Sequence, residues 1–251
     1  MTSMTVDPAE VAAFNRLAET WWDESGPMWP LHRLNALRRD YLARRLAEFW
    51  PDRSADRPFE DLDILDIGCG AGLLSESVCR LGGRVHGVDV AERNIAIARE
   101  HAGSSGLEID YEVGTAEALA EGQRRYDLVL NMEVVEHVFN LPAFLAACCD
   151  LTRPGGIMVI ATINRTAISW LAAIVGAEYI LRWLPRGTHQ WTRFPKPSEL
   201  ESILATRRFS VEDRVGVGVN PINRRFRLHR YLGVNYMLVT RREDGGGSGG
   251  T

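Results

Sequence analysis

At 251 residues, with 45% apolar and 25% charged content, the chain has the make-up of a soluble globular protein, long enough for one large domain with a sizeable core. A net charge of −4 gives no reason to expect a nucleic-acid partner. Four cysteines, two of them adjacent at Cys148 and Cys149, lack any zinc-like spacing, and no basic flank with an apolar core opens the chain. A reducing, cytosolic setting without a secretory signal is therefore expected. The charge is uneven: Arg182 to Arg230 holds eleven Arg or Lys against four Asp or Glu.

Asp7-Pro8-Ala9-Glu10 reads as a helix start, with Asp7 as N-cap and Glu10 completing a capping box. Phe14, Leu17, Ala18 and Trp21 then share one face, and breaks follow at Gly26-Pro27 and Trp29-Pro30. A second helix carries Leu34, Leu37, Tyr41 and Leu46 inward. Most of its arginines (Arg33, Arg38, Arg39, Arg44, Arg45) read as a solvated face. Both helices precede the first strand and are expected to cap a pocket mouth. Residues 1–57 form this cap and its linker, 58–242 the core, and 243–251 a disordered glycine-serine tail.

From Leu62 the pattern alternates. Strands are predicted at Ile64–Ile67, Arg84–Val88, Ile109–Val113, Tyr126–Leu130 and Ile157–Thr162, with helices at Leu73–Leu81, Arg93–His101 and Pro142–Cys149. Such alternation predicts a doubly wound, Rossmann-like α/β fold, mostly parallel, with ligands outside the carboxyl ends of the strands. Ala167 to Leu184, apolar but interrupted by Glu178 and Arg182, predicts a lid or interfacial helix, or equally a helix packed on the domain, within an insert at 164–197, rather than a membrane span. A helix opens at Ser198, and Phe209–Val217 and Val234–Thr240 are expected to form an antiparallel pair at the sheet edge.

The most informative stretch is Leu65-Asp66-Ile67-Gly68-Cys69-Gly70-Ala71-Gly72, a strand breaking into three glycines spaced two apart before a helix. Seventeen residues after Gly72, the next strand ends on Asp89, an acid placed to accept hydrogen bonds from a ribose diol. Dinucleotide enzymes use Gly-x-Gly-x-x-Gly, whose helix N-terminus holds a pyrophosphate. The tighter turn here suits a nucleoside without phosphates, such as S-adenosylmethionine, with Gly68 and Gly70 letting its amino-acid tail cross the sheet edge.

These segments, together with Tyr126-Asp127-Leu128-Val129 and Arg153-Pro154-Gly155-Gly156, resemble class I S-adenosylmethionine-dependent methyltransferases. Phe14 to Asp23 and Pro30 to Arg38 are similar to the entry segment of the ubiquinone biosynthesis O-methyltransferases. Val175 to Leu181 and Pro185 to His189 are similar to their insert, and Val234-Asn235-Tyr236-Met237 to their last strand. The likeness runs from about Phe14 to Thr240. It implies cofactor contacts at Arg38, Gly68, Asp89 and Met132. A guanidinium at Arg38 suits the methionine carboxylate, and the polarisable Met132 side chain suits packing on adenine. Glu117 is a further acid within reach of the adenine amino group, or an exposed loop acid.

Glu133, Glu136 and His137, if helical, fall at i, i+3 and i+4 on one face. Two readings stay open: a divalent cation that lowers a phenolic pKa, or His137 alone as general base. The resemblance assigns the three to magnesium. It further implies a polyprenylated catechol or demethylubiquinol as acceptor, peripheral contact with anionic lipid at the inner membrane, and membership of a ubiquinone-synthesising assembly. The rival readings are a methyltransferase for another small phenol, a non-catalytic S-adenosylmethionine-binding component, and a nicotinamide oxidoreductase.

Overall fold

The computed structural model describes residue 15 and residues 18–169, 193–220 and 223–244. The helix expected from Asp7, the apolar stretch after Ser169 and the glycine-serine tail lie almost wholly outside these residues.

Among the described residues eight strands form one sheet: β1 (Asp63–Ile67), β2 (Arg84–Asp89), β3 (Asp110–Val113), β4 (Tyr126–Met132), β5 (Thr152–Ile163), β6 (Phe209–Asn220), β7 (Arg225–His229) and β8 (Asn235–Arg242). The helices are α1 (Trp29–Leu46), α2 (Leu73–Arg80), α3 (Glu92–Ser104), α4 (Ala116–Ala120), α5 (Leu141–Leu151) and α6 (Pro197–Thr206). The sheet order is β3-β2-β1-β4-β5-β8-β6-β7. The first five strands pair in parallel, while β8 runs antiparallel to both β5 and β6, and β7 antiparallel to β6.

The period of two along each strand divides the core. Leu65 and Ile67 face α5 and α6 with Val129, Met158 and Ile160. Ile64 turns the other way, toward Tyr41, Leu42 and Leu46 of α1 and Leu74 and Val78 of α2, with Leu128, Leu130 and Val159. Apolar layers on both faces keep the parallel strands buried, and they bring the carboxyl ends of β1, β2, β4 and β5 to one rim.

Three expectations need correction. The expected break at Trp29-Pro30 is the first turn of α1, because a proline there forfeits an N–H that has no intrahelical acceptor in any case. The final two strands form the expected antiparallel pair at the edge side of the sheet, but β8 sits between β5 and β6, and β7, absent from the expectation, lies outermost. Arg153 to Gly156 sits inside β5 as a register shift against β4 rather than before the strand.

The described part of the entry segment packs against the core. Trp22 stacks on His101 of α3, ring centroids 3.3 Å apart, and its indole N–H donates to the Ala71 carbonyl at 3.0 Å. Arg93 of α3 pairs with Glu19 at 2.6 Å. No helix among the described residues is long and apolar enough to cross a membrane.

Candidate active site

The turn after β1 is built as the glycine spacing requires. Gly68 and Gly70 have φ of 68° and 56°, the left-handed region where a Cβ is penalised. A Cβ on Gly68 would run into the Val134 side chain, and one on Gly70 into the Trp21 indole. The N–H groups of Gly68 and Cys69 both donate to the Val88 carbonyl at the end of β2, at 2.7 and 3.1 Å. Asp89, the next residue, accepts from the Gly70 and Ala91 backbone at 2.9 and 2.8 Å, and from Asn94 at 3.5 Å. Burial pushes the Asp89 carboxyl up, and those donors oppose it. The loops after β1 and β2 therefore share one crevice, with the acid at its rim.

Arg38 forms the crevice's opposite wall. Helical periodicity in α1 placed it on a solvated face, yet it is 0% exposed. A lone buried guanidinium costs several kcal/mol, so it must be paired. Its Nη2 donates to Glu133 Oε1 in an ion pair that links α1 to the end of β4. Its Nε and Nη1 are buried without an acceptor among the described residues. Around it, Asn35, Asp66, Gly68 and Met132 line a cavity of about 30 Å³, room for one or two waters. Asp66, on the same sheet face as Ile64, accepts from Ser75 Oγ at 2.6 Å, and its pKa is pushed up to about 7, first by burial and then by the Asp89 charge. It lines the same cavity as Arg38, a placement that sequence reading missed. Position 66 could have suggested a buried carboxylate, since it lies between the apolar Leu65 and Ile67 of β1.

Glu133 and Glu136 are brought together, but not on a helix. Glu133 closes β4 with φ 59° and hands its N–H to the Ala161 carbonyl at 2.8 Å, while a 3₁₀ turn spans Val135–His137. The expected i, i+3, i+4 face is replaced by a bend that turns both carboxylates inward. Glu133 Oε1 accepts from Arg38 and from Asn235 Nδ2, the latter at 2.9 Å. Burial pushes the Glu133 carboxyl up, but the Arg38 charge, Asn235 and a hydrogen bond from Glu136 outweigh it and hold the group below its ordinary range. Glu136 moves the other way, up to about 8, through burial and the Glu133 charge, with His137 and the Thr162 hydroxyl (2.7 Å to Oε2) opposing. The two carboxyl pKa values are pushed apart in opposite directions, as those of like charges in close contact are.

That arrangement does not fit magnesium. A hard cation needs carboxylate oxygens unclaimed by other donors. Glu133 Oε1 already takes two donors, one cationic, and Glu136 Oε2 takes the Thr162 hydroxyl. Among the described residues no three His, Cys, Asp or Glu side chains are grouped to hold a metal ion. The other sequence-derived residues fall as follows. Met132 ends β4 at the crevice wall, and Glu117 belongs to the first turn of α4 rather than to a loop, with Oε1 buried and unpartnered. Thr162 and Asn235 were not singled out, since nothing local marks a Thr or Asn at a strand end as functional.

The crevice and the sheet order define a class I S-adenosylmethionine-dependent methyltransferase. Residues 34–213 match a family model described as a methyltransferase domain. The fold is similar to that of a magnesium protoporphyrin IX methyltransferase from Synechocystis PCC 6803 with bound SAH. The TM-score is 0.63 and the identity 16%, over 92% of this chain and 94% of that one. It is also similar to an S-adenosylmethionine-dependent methyltransferase from Clostridium acetobutylicum, with TM-score 0.57 and 14% identity, over 92% and 99% of the two chains. Curated relatives are far nearer in sequence. A ubiquinone biosynthesis O-methyltransferase of Cereibacter sphaeroides is 50% identical over 241 residues, 95% of this chain and 98% of that protein. One of Roseobacter denitrificans is 51% identical over 238 residues, 94% and 96% of the two chains. The chain belongs to the ubiquinone biosynthesis O-methyltransferase family, and its cofactor is S-adenosylmethionine.

Proposed function

We propose that this chain moves the methyl group of S-adenosylmethionine to a phenolic hydroxyl of a polyprenylated catechol or demethylubiquinol. The observation that carries the reading is Arg38: a buried guanidinium with two unpartnered nitrogens beside the glycine turn, a complement to the methionine carboxylate. Asp66 takes the ammonium of the same tail. Asp89 takes the ribose hydroxyls, Gly68 and Gly70 admit the backbone-hugging chain, and Met132 packs on the adenine.

The bound cofactor supplies an activated sulfonium methyl. This chain's residues align the phenol behind it and remove the proton. His137 accepts that proton, and the adjacent acids Glu133 and Glu136 favour the imidazolium that results. No step is routed through magnesium. The acceptor's prenyl tail resides in lipid, so the enzyme works at the inner membrane from the cytoplasmic side, within an assembly of ubiquinone-synthesising enzymes. The exposed arginines 224, 225, 227 and 230 on and beside β7 support a contact with anionic headgroups. Residues 1–57 serve as cap, 58–242 as core and 164–197 as a lipid-facing insert.

The test is a methyl-transfer assay on a catechol with and without a prenyl tail, in EDTA and in magnesium. Transfer favoured by the tail and unaffected by EDTA is expected. Activity abolished by EDTA and restored by magnesium would return Glu133, Glu136 and His137 to a metal-binding role.

A further inference from the structure

Asn235 opens β8, opposite Ile163 at the end of β5 and Val217 of β6, and so stands on the carboxyl-end rim of the sheet beside the crevice. Its side-chain amide has two functions to satisfy. The Nδ2 donates to Glu133 Oε1 at 2.9 Å. A carboxylate oxygen can only accept, so this contact fixes which end of the amide is which and rules out the flipped orientation. The Oδ1 is thereby turned away from Glu133, buried and without a donor among the described residues.

A buried amide oxygen left without a hydrogen bond is disfavoured, and native proteins hold few of them. Here the orphan belongs to a side chain locked from the other end. Glu133 cannot release the amide readily, because it is itself pinned by Arg38, by the Ala161 carbonyl and by its own left-handed backbone. Asn235 thus presents a fixed acceptor at Oδ1, while the second N–H of its amide stays on the Nδ2 side, beside Glu133. Only an O–H or N–H donor complements such a group.

We infer that Asn235 Oδ1 accepts the non-reacting hydroxyl of the phenolic substrate, so that this residue selects a catechol over a monophenol. This rests on the proposed O-methylation. A catechol carries two adjacent hydroxyls. One loses its proton and receives the methyl. The other keeps its proton and donates it to Oδ1, which sets the ring's rotation about the axis of attack. A monophenol makes no such contact and leaves Oδ1 unpaired in the complex, and a site built around a polar group discriminates strongly against ligands that lack its partner. Asn235 also steadies Glu133, so the two roles have to be separated by measurement.

The full-length chain is assayed with a prenylated catechol and with the matching prenylated monophenol, for wild type, Asn235→Leu and Asn235→Asp, alongside calorimetric binding of S-adenosylhomocysteine. The wild type is expected to favour the catechol in kcat/KM. Asn235→Leu is expected to lower catechol kcat/KM about ten- to thirtyfold, the size of one buried hydrogen bond, mostly through KM, while monophenol turnover falls far less. The preference then collapses toward unity. Asn235→Asp, which keeps an acceptor oxygen, is expected to retain more of the preference than Asn235→Leu. Equal losses on both acceptors, or a loss of S-adenosylhomocysteine binding that accounts for them, would reduce Asn235 to a structural prop and overturn the assignment. A wild type that methylates neither phenol would overturn the functional reading and the assignment together, and is told apart from the first failure by the wild-type rate alone.

Discussion

Arg38 offers the sharpest test, because it serves two partners and a pair of substitutions separates them. Replacing it by Met keeps the bulk of the side chain within α1 but removes the guanidinium. Glu133 then loses its cation. Breaking a buried pair from one side costs about 3–5 kcal/mol. The Glu133 side chain retains 23% exposure and the Asn235 hydrogen bond, so the lower end of that range applies, about 3 kcal/mol. Removing the second charge as well, in Arg38→Met with Glu133→Gln, leaves no unpaired ion, and stability should return to within about 1 kcal/mol of wild type. Cofactor affinity should not return with it. The lost contact to the methionine carboxylate is worth about 2–5 kcal/mol for a desolvated charge pair, roughly thirtyfold to several thousandfold in Kd. Urea denaturation reads the first quantity and calorimetric titration with S-adenosylhomocysteine the second. A double variant that regains both stability and cofactor affinity would refute the reasoning, since Arg38 would then matter only as the counter-ion of Glu133.

Asp66 gives a pH signature. Its folded-state pKa of about 7 lies above the ordinary 3.8, so the native state holds this proton more tightly than the unfolded chain. Its contribution is full below about pH 4, is lost as pH rises through 7, and levels above that; a gap of about three pH units at ~1.4 kcal/mol each sets the ceiling near 4 kcal/mol. Urea melts across this window should lose much of their pH slope in Asp66→Asn, and an unchanged slope would contradict the assignment. Cofactor affinity should rise as pH passes 7, because only the ionised carboxylate pairs with the ammonium. Gly68→Val combines a left-handed backbone with a collision against Val134, so a lower melting temperature and at least a tenfold weaker affinity for S-adenosylhomocysteine are expected; wild-type values for both would refute that account of the turn.

What the sequence revealed, and what it hid, follows sequence distance. Gly68, Gly70 and Asp89 were legible because a turn and the tip of the next strand are set by local spacing, and the alternation from Ile64 to Ile163 fixed the parallel half of the sheet in the same way. Arg38 was not legible from periodicity. A charged residue on a basic helix reads as solvated, and its burial is made possible by Glu133, 95 positions away. Only family likeness pointed to it. Glu133 was misread as helical because its left-handed φ falls on a residue type that seldom adopts it, with no glycine to mark the bend. Asn235 and Thr162 acquire their meaning from carboxylates 102 and 26 residues distant. For β7 a signal was present, since Arg225-Phe226-Arg227-Leu228 alternates with a period of two, but its brevity hid it among the arginines.

The central claim is methyl transfer to the oxygen of a prenylated catechol, and isotope-labelled turnover tests it most directly. The chain is mixed with S-adenosylmethionine labelled on its methyl group and a prenylated catechol in detergent, in the presence of EDTA, and the product is fragmented by mass spectrometry. The account predicts one labelled methyl per ring, carried on a phenolic oxygen, with S-adenosylhomocysteine formed in equal amount. Label on a ring carbon, or cofactor that binds while the catechol stays unmethylated, would contradict it.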